Sequence, residues 1–103
     1  MRFEWDAAKN LINQRKHGIS FEEASQVFLD PLHIVIADRV GSGEQCWQTL
    51  GLAKRATGSL LLLVVANTVG EDFERDTCIE VVRIISARKA IPEERRNYEN
   101  ENG

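Results

Sequence analysis

The chain has 103 residues, 43% hydrophobic and 28% charged, which suits one small globular domain over residues 1–103 and excludes a disordered chain. A formal net charge of −3 and a pI near 5.4 argue against strong non-specific nucleic-acid binding. The longest apolar run, Leu60–Ala66, is too short to cross a bilayer, and the N-terminus has no apolar signal-peptide core. The chain is therefore expected in the cytoplasm, with no membrane partner.

Asp6 is an N-cap for a first helix over Ala7–Lys16, because its carboxylate can accept the orphan N–H groups of the first turn. Gly18 is the stop, since glycine takes the left-handed position cheaply. Ser20-Phe21-Glu22-Glu23 is a capping box that opens a second helix, with Phe21, Ala24, Val27 and Phe28 at core spacing. Asp30-Pro31 ends it. Phe3 and Trp5 precede all this and read either as core packing or as an exposed interface.

Strands follow. His33–Asp38 is rich in β-branched residues, Gly41-Ser42-Gly43 is a turn, and Gln45–Leu52 alternates. Ala56–Ser59 turns into Leu60–Thr68, whose continuous apolar run suits a central strand buried on both faces. Val69–Asp76 reads as a long acidic loop before a fourth strand, Thr77–Ala87. Pro92 suits the first turn of a last helix, from which Tyr98 can fold back on the sheet, and Asn100–Gly103 should fray. The expected fold is α+β: two N-terminal helices, a four-stranded antiparallel meander, and a C-terminal helix, with the helices on one face.

No nucleotide-binding or nucleophile-elbow motif is present. Cys46 and Cys78 lie in predicted strands, outside any CxxC pair, and read as small sheet residues. His17 and His33 sit in different elements with no carboxylate at ligand spacing, so neither a metal nor another cofactor is expected.

The average charge hides a gradient. Glu71–Glu80 carries five acids and one base, whereas Arg83–Arg96 carries five bases and two acids. Val82–Ala90 is the most informative stretch, an apolar strand studded with Arg83, Arg88 and Lys89 and leading into a charged helix. Fixed cations of this kind suit phosphate binding, and also suit a merely solvated strand end. Residues 83 and 88 have opposite parity, so in a regular strand they share a site only if Arg88 lies beyond the strand end. Lys16-His17-Gly18 closes the first helix, where the dipole favours cations, and reads as a helix C-cap.

Taken together, Phe3-Glu4-Trp5-Asp6, Lys9, Asn13, Arg15-Lys16-His17-Gly18, Phe21-Glu22-Glu23-Ala24, Phe28 and Asp30-Pro31 resemble the N-terminal half of BrnT-family toxins. Trp47–Gly51, Arg83–Ala90, Glu94-Arg95 and Tyr98 resemble the rest. The resemblance covers nearly the whole chain in the family's order.

The resemblance implies a RelE-like fold and a toxin of a bacterial type II toxin–antitoxin module that cleaves RNA without metal. It also implies a cognate BrnA-like antitoxin that carries the operator-DNA contacts, with the complex a dimer of heterodimers. Such cleavage uses the 2′-hydroxyl of RNA as nucleophile and needs proton transfer and cations at the phosphate. The expected clamps and transition-state stabilisers are Arg83 and Arg88, whose planar forks stay charged. Proton transfer is expected from His17 or Lys16, and substrate positioning from Lys89 and Tyr98.

The chain departs from the family pattern at Cys46, at Ala66-Asn67 and at Ile91, where arginine, His or Tyr with Arg, and Thr are common. The alternative reading is a toxin-fold protein that binds its antitoxin and co-regulates the operon without cleaving RNA.

Overall fold

The local signals at the start of the chain behave as expected. In the computed structural model, which describes residues 1–41 and 43–102, the Asp6 carboxylate accepts the N–H groups of Ala8 and Lys9 at 2.8 and 3.1 Å. It thereby starts helix α1, Ala7–His17. Gly18 closes that helix at φ +70°, returning its N–H to the Gln14 carbonyl. Ser20 and Glu23 form both halves of the capping box that opens α2, Phe21–Ser25. The second helix is shorter than expected, because Gln26–Leu29 tightens into a 3-10 turn. A tighter last turn is a common way to satisfy terminal carbonyls.

Five strands form one mixed sheet, not the four antiparallel strands expected. Arg2–Glu4 is β1, Ile34–Gly41 is β2, Glu44–Lys54 is β3, Leu60–Glu74 is β4 and Thr77–Lys89 is β5. Their order is β1-β5-β4-β3-β2. The pairs β2–β3, β3–β4 and β4–β5 are antiparallel, while β1 runs parallel to β5 with Phe3 opposite Val82. Three residues are too few to show a period, and the partner of β1 lies some eighty positions later. Nothing in the local pattern marks β1 as a strand.

The acidic segment 69–76 is a hairpin rather than a loop. β4 continues to Glu74 and β5 begins at Thr77, joined by Arg75 and Asp76 at φ +50° and +65°. Two consecutive positive φ values make the primed turn whose twist suits a two-residue hairpin. Arg2 reaches across to its acids, with Nη2 2.7 Å from Asp72 and Nη1 2.6 Å from Glu74. The turn expected at Gly41-Ser42-Gly43 includes Ser42, which lies outside the described residues, as does Gly103. The fraying expected from Asn100 does not occur as far as Asn102, which stays helical and donates through Nδ2 to the Leu32 and Tyr98 carbonyls, both at 2.9 Å.

Helices flank both faces of the sheet, not one. Ile19, Phe21, Ala24 and Val27 pack on Leu63, Val65, Val82, Ile84 and Ala87, with Phe3, Trp5 and Phe28 against them. Phe3 and Trp5 are thus core packing, in aromatic contact with Phe28 and Phe21 respectively. Phe21, Ile19, Leu63 and Ile84 are under 2% exposed, and each burial is worth about 1.5–3 kcal/mol. On the opposite face, Tyr98 of α3, Pro92–Asn102, covers Leu50, Leu62 and Val64. That helix covers only part of the face. Among the described residues no helix is long and apolar enough to cross a membrane.

Candidate functional site

A bulge in β5 decides where its arginines point. Ala66 pairs with Ser86 but Asn67 pairs with Ile84, so Ile85 is the extra residue. An inserted residue shifts the side-chain alternation by one. Arg83, opposite Thr68, and Arg88, opposite Val64, therefore share the face that α3 partly covers. The strand does not end between them, as the sequence argument required; it runs on to Lys89, and the bulge re-phases it. Four paired steps still separate the two arginines, about 13 Å along the strand.

β1 covers the edge of β5 only at Val81–Arg83, and α1 takes over beyond it. The Asn13 side chain replaces a strand neighbour there. Its Nδ2 donates to the Ala87 and Ile19 carbonyls, both at 2.9 Å, and its Oδ1 accepts the Ala87 N–H at 3.1 Å. Asn10 ties the same helix down, donating to Glu22 at 2.7 Å and accepting the Phe21 N–H at 2.8 Å. These are the two buried residues of α1.

Clamped there, α1 forms one wall of a groove on the open part of the α3 face. The groove consists of two adjoining depressions of about 350 and 180 Å³ that share Lys9 and Ile85. The first is lined by Arg83, Thr68, Cys46 and Glu44, the second by Lys16, His17, Ser86 and Asn13. The groove has electrical polarity. Its α1 end carries Lys9 and Lys16, while beyond Arg83 a further depression is walled by Glu4, Glu44, Glu71 and Asp72 together with Arg2, which pairs with Asp72. Arg83 is held only loosely, with Nη1 3.6 Å from Glu4 and half its side chain exposed.

Arg88 is held firmly. Its two terminal nitrogens donate to the two oxygens of Glu94 at 2.8 and 2.9 Å, a bidentate fork. The Glu94 hydrogen bonds raise the proton affinity of the guanidinium, and the Arg88 hydrogen bond in turn holds the Glu94 carboxyl below its usual range. Glu94 also accepts the Ile91 N–H at 2.9 Å. Ile91 has no side-chain cap to offer α3, and Glu94 supplies the remaining half of a capping box.

Tyr98 is buried, and its hydroxyl donates to Asp30 at 2.7 Å. Burial, then the Asp30 hydrogen bond, push its pKa up to about 12. Desolvation raises the Asp30 carboxyl, but donors from the Leu52 N–H, Tyr98 and the Leu32 N–H outweigh it and leave it below the usual range. Lys89, opposite Leu63, points to the α1/α2 face. His33 is half-buried, with Nδ1 2.7 Å from the Asp30 carbonyl.

Of the residues singled out from the sequence, the fold brings Arg83, Lys16 and His17 to one groove. It leaves Arg88, Lys89 and Tyr98 outside the lining. Lys9, common to both depressions, was not among those candidates. A usable signal was present: Lys9, Ile12, Asn13 and Lys16 recur at helical i, i+3, i+4 and i+7 spacing. Cys46 lines the groove, but Asn67 is buried on the opposite face, where its Oδ1 accepts the Thr49 hydroxyl at 2.9 Å. Among the described residues no three His, Cys, Asp or Glu side chains gather as metal ligands would.

A family model described as the ribonuclease toxin, BrnT, of type II toxin–antitoxin systems matches residues 5–94. No curated protein matches the chain significantly.

Proposed function

The chain belongs to the BrnT ribonuclease toxins of type II toxin–antitoxin systems, and we propose that it cleaves RNA in the groove between α1 and β5 without a metal. The observation that supports this reading is the pair of adjoining depressions, one lined by Lys9 and Arg83 and the other by Lys9, Lys16 and His17. Arg83 and Lys9 hold the scissile phosphate and offset charge as it builds in the transition state. His17 is the one imidazole among the lining side chains, a group that can both accept and donate a proton, so it carries the proton taken from the 2′-hydroxyl. Lys16 lies one residue from it and gives a proton to the departing 5′-oxygen. Attack by the 2′-oxygen on phosphorus expels the 5′-oxygen and leaves a 2′,3′-cyclic phosphate. Arg88 and Tyr98 hold α3 in place rather than touching RNA.

The family implies an antitoxin as protein partner. In this reading the antitoxin carries the operator-DNA contacts, and the complex assembles in the cytoplasm as a dimer of heterodimers. Light scattering on the purified complex tests that stoichiometry.

The test of catalysis is cleavage of single-stranded RNA by the purified protein in EDTA, with analysis of the product ends. Cyclic phosphate ends, lost in Arg83→Ala and His17→Ala, are the expected result. Activity that vanishes in EDTA and returns with a divalent ion refutes the metal-free route.

A second reading has one specific observation in its favour. The strongest phosphate-binding fork on the face, that of Arg88, is already occupied by Glu94. If wild-type protein, expressed alone and folded, neither slows growth nor cleaves RNA yet still binds its antitoxin, it is a binding module on the toxin scaffold.

A further inference from the structure

The outward face of α1 is inverted. A helix packed on a sheet normally buries its apolar stripe and exposes its polar one. Here α1 buries Asn10 and Asn13 and leaves Leu11 57% and Ile12 59% exposed. Ala8, Leu11, Ile12 and Arg15 are all exposed and follow the i, i+3, i+4, i+7 spacing of a packing face. The reason for the polar interior is clear, since both asparagines satisfy backbone groups of β5 and of the segment after Gly18. Nothing inside the fold accounts for the apolar exterior.

We propose that this α1 face is the docking surface for an acidic, amphipathic segment of the antitoxin. Charge supports that choice of occupant. Between Ala7 and His17 the helix has no acidic residue, and it presents Lys9, Arg15, Lys16 and His17. Among the described residues, Lys9, Arg15 and Lys16 make no ion pair. A partner segment with apolar anchors flanked by Glu or Asp matches this surface in both chemistries, whereas a basic segment is repelled. Continuity supports it as well. Ile12, on the apolar stripe, also lines the depression that holds Lys16 and His17. A segment seated on Leu11 and Ile12 therefore overlies the cationic end of the groove and places its carboxylates where phosphates would lie. The inference rests on the toxin–antitoxin reading and adds to it where and by what chemistry neutralisation occurs.

The test uses the antitoxin encoded by the adjoining reading frame and measures its affinity for purified toxin by calorimetry. The variants are Leu11→Asp and Arg15→Glu, both at exposed positions outside the groove lining. Phe73→Asp on the distant hairpin, where Phe73 is 69% exposed, is the control. Loss of a central apolar anchor weakens an interface about 30-fold or more. We expect that loss for Leu11→Asp, a smaller one for Arg15→Glu, and wild-type affinity for Phe73→Asp. Melting temperatures within a degree or two of wild type confirm that the variants fold, and Leu11→Ser replaces Leu11→Asp if they do not. Wild-type affinity in both α1 variants, or loss in Phe73→Asp alone, overturns the proposal. RNA cleavage is assayed separately without antitoxin. If wild-type protein is inert towards RNA while Leu11→Asp still loses antitoxin, the catalytic reading fails and the docking surface stands.

Discussion

The two arginines of β5 should respond to mutation in opposite ways. Arg83 is half-exposed and pairs with Glu4 at 3.6 Å, so its removal should cost at most about 0.5 kcal/mol of stability. Arg88 grips Glu94 through two hydrogen bonds, with side chains 38% and 20% exposed. A fully buried pair broken on one side costs about 3–5 kcal/mol and an exposed one about 0.2–1. This half-screened pair falls between them, at about 1–2 kcal/mol. For a domain of this size, that lowers the melting temperature by roughly 4–16 °C. The Arg83→Ala variant should melt like wild type yet lose about 10²–10³ in cleavage rate, the usual effect of removing one preorganised charge donor at a reacting centre. The Arg88→Ala variant should melt early and, assayed well below its transition, retain most of its activity per folded molecule. Thermal melts followed by circular dichroism, paired with single-turnover cleavage of a short RNA, separate the two effects. A thermally silent Arg88→Ala that abolishes cleavage, beside an active Arg83→Ala, would show that the phosphate lies under α3 and refute the groove assignment.

Other residues give independent checks. Tyr98→Phe should cost about 1–2 kcal/mol through loss of the hydrogen bond to Asp30, measured by urea unfolding. It should also flatten the alkaline limb of the stability curve. The unfolded tyrosine ionises near pH 10 and the folded one near 12, so wild-type stability falls over that interval and that of the phenylalanine variant does not. On the acid side, Asp30 and Glu94 have lowered pKa values. Their contribution is complete above about pH 4.5 and disappears as pH falls through their folded values, so Asp30→Asn should show a shallower acid transition. Gly51→Ala places a Cβ 2.9 Å from Val27 Cγ1 and 3.2 Å from His33 Cβ, and should destabilise by about 1–3 kcal/mol in the same unfolding assay. Asn13→Ala leaves the Ala87 N–H and the Ala87 and Ile19 carbonyls without that partner, and should cost about 2–3 kcal/mol. Because it also loosens the α1 wall, cleavage per folded molecule should fall as well, and unchanged activity would separate α1 from catalysis.

What the sequence alone determined was local or familial. Asp6, Gly18 and the Ser20/Glu23 box place the first two helices because each cap acts within three or four residues of itself. The apolar run from Leu60 marks the central strand for a similarly short-range reason. The resemblance identified the family, and Arg83 and Lys16 were legible as cations and His17 as a proton-transfer group.

Tertiary structure decided where those cations meet. The bulge at Ile85, which turns Arg83 and Arg88 to one face, arises from pairing with β4 and has no signature in β5 itself. Asn13 finds Ala87 seventy-four positions away, and Arg2 finds Asp72 across seventy. Both contacts depend on the closed sheet rather than on neighbours in the chain. The acids of 69–76 read as a loop because their charges carry no strand period, yet the twist of two positive-φ residues and pairing across the hairpin override that preference. Glu94 takes the Arg88 fork for the same kind of reason, since α3 folds onto the sheet face that carries it. Short-range physics thus specified the helices and the central strand, whereas the groove, its cationic wall and the occupied arginine exist only once distant segments are brought together.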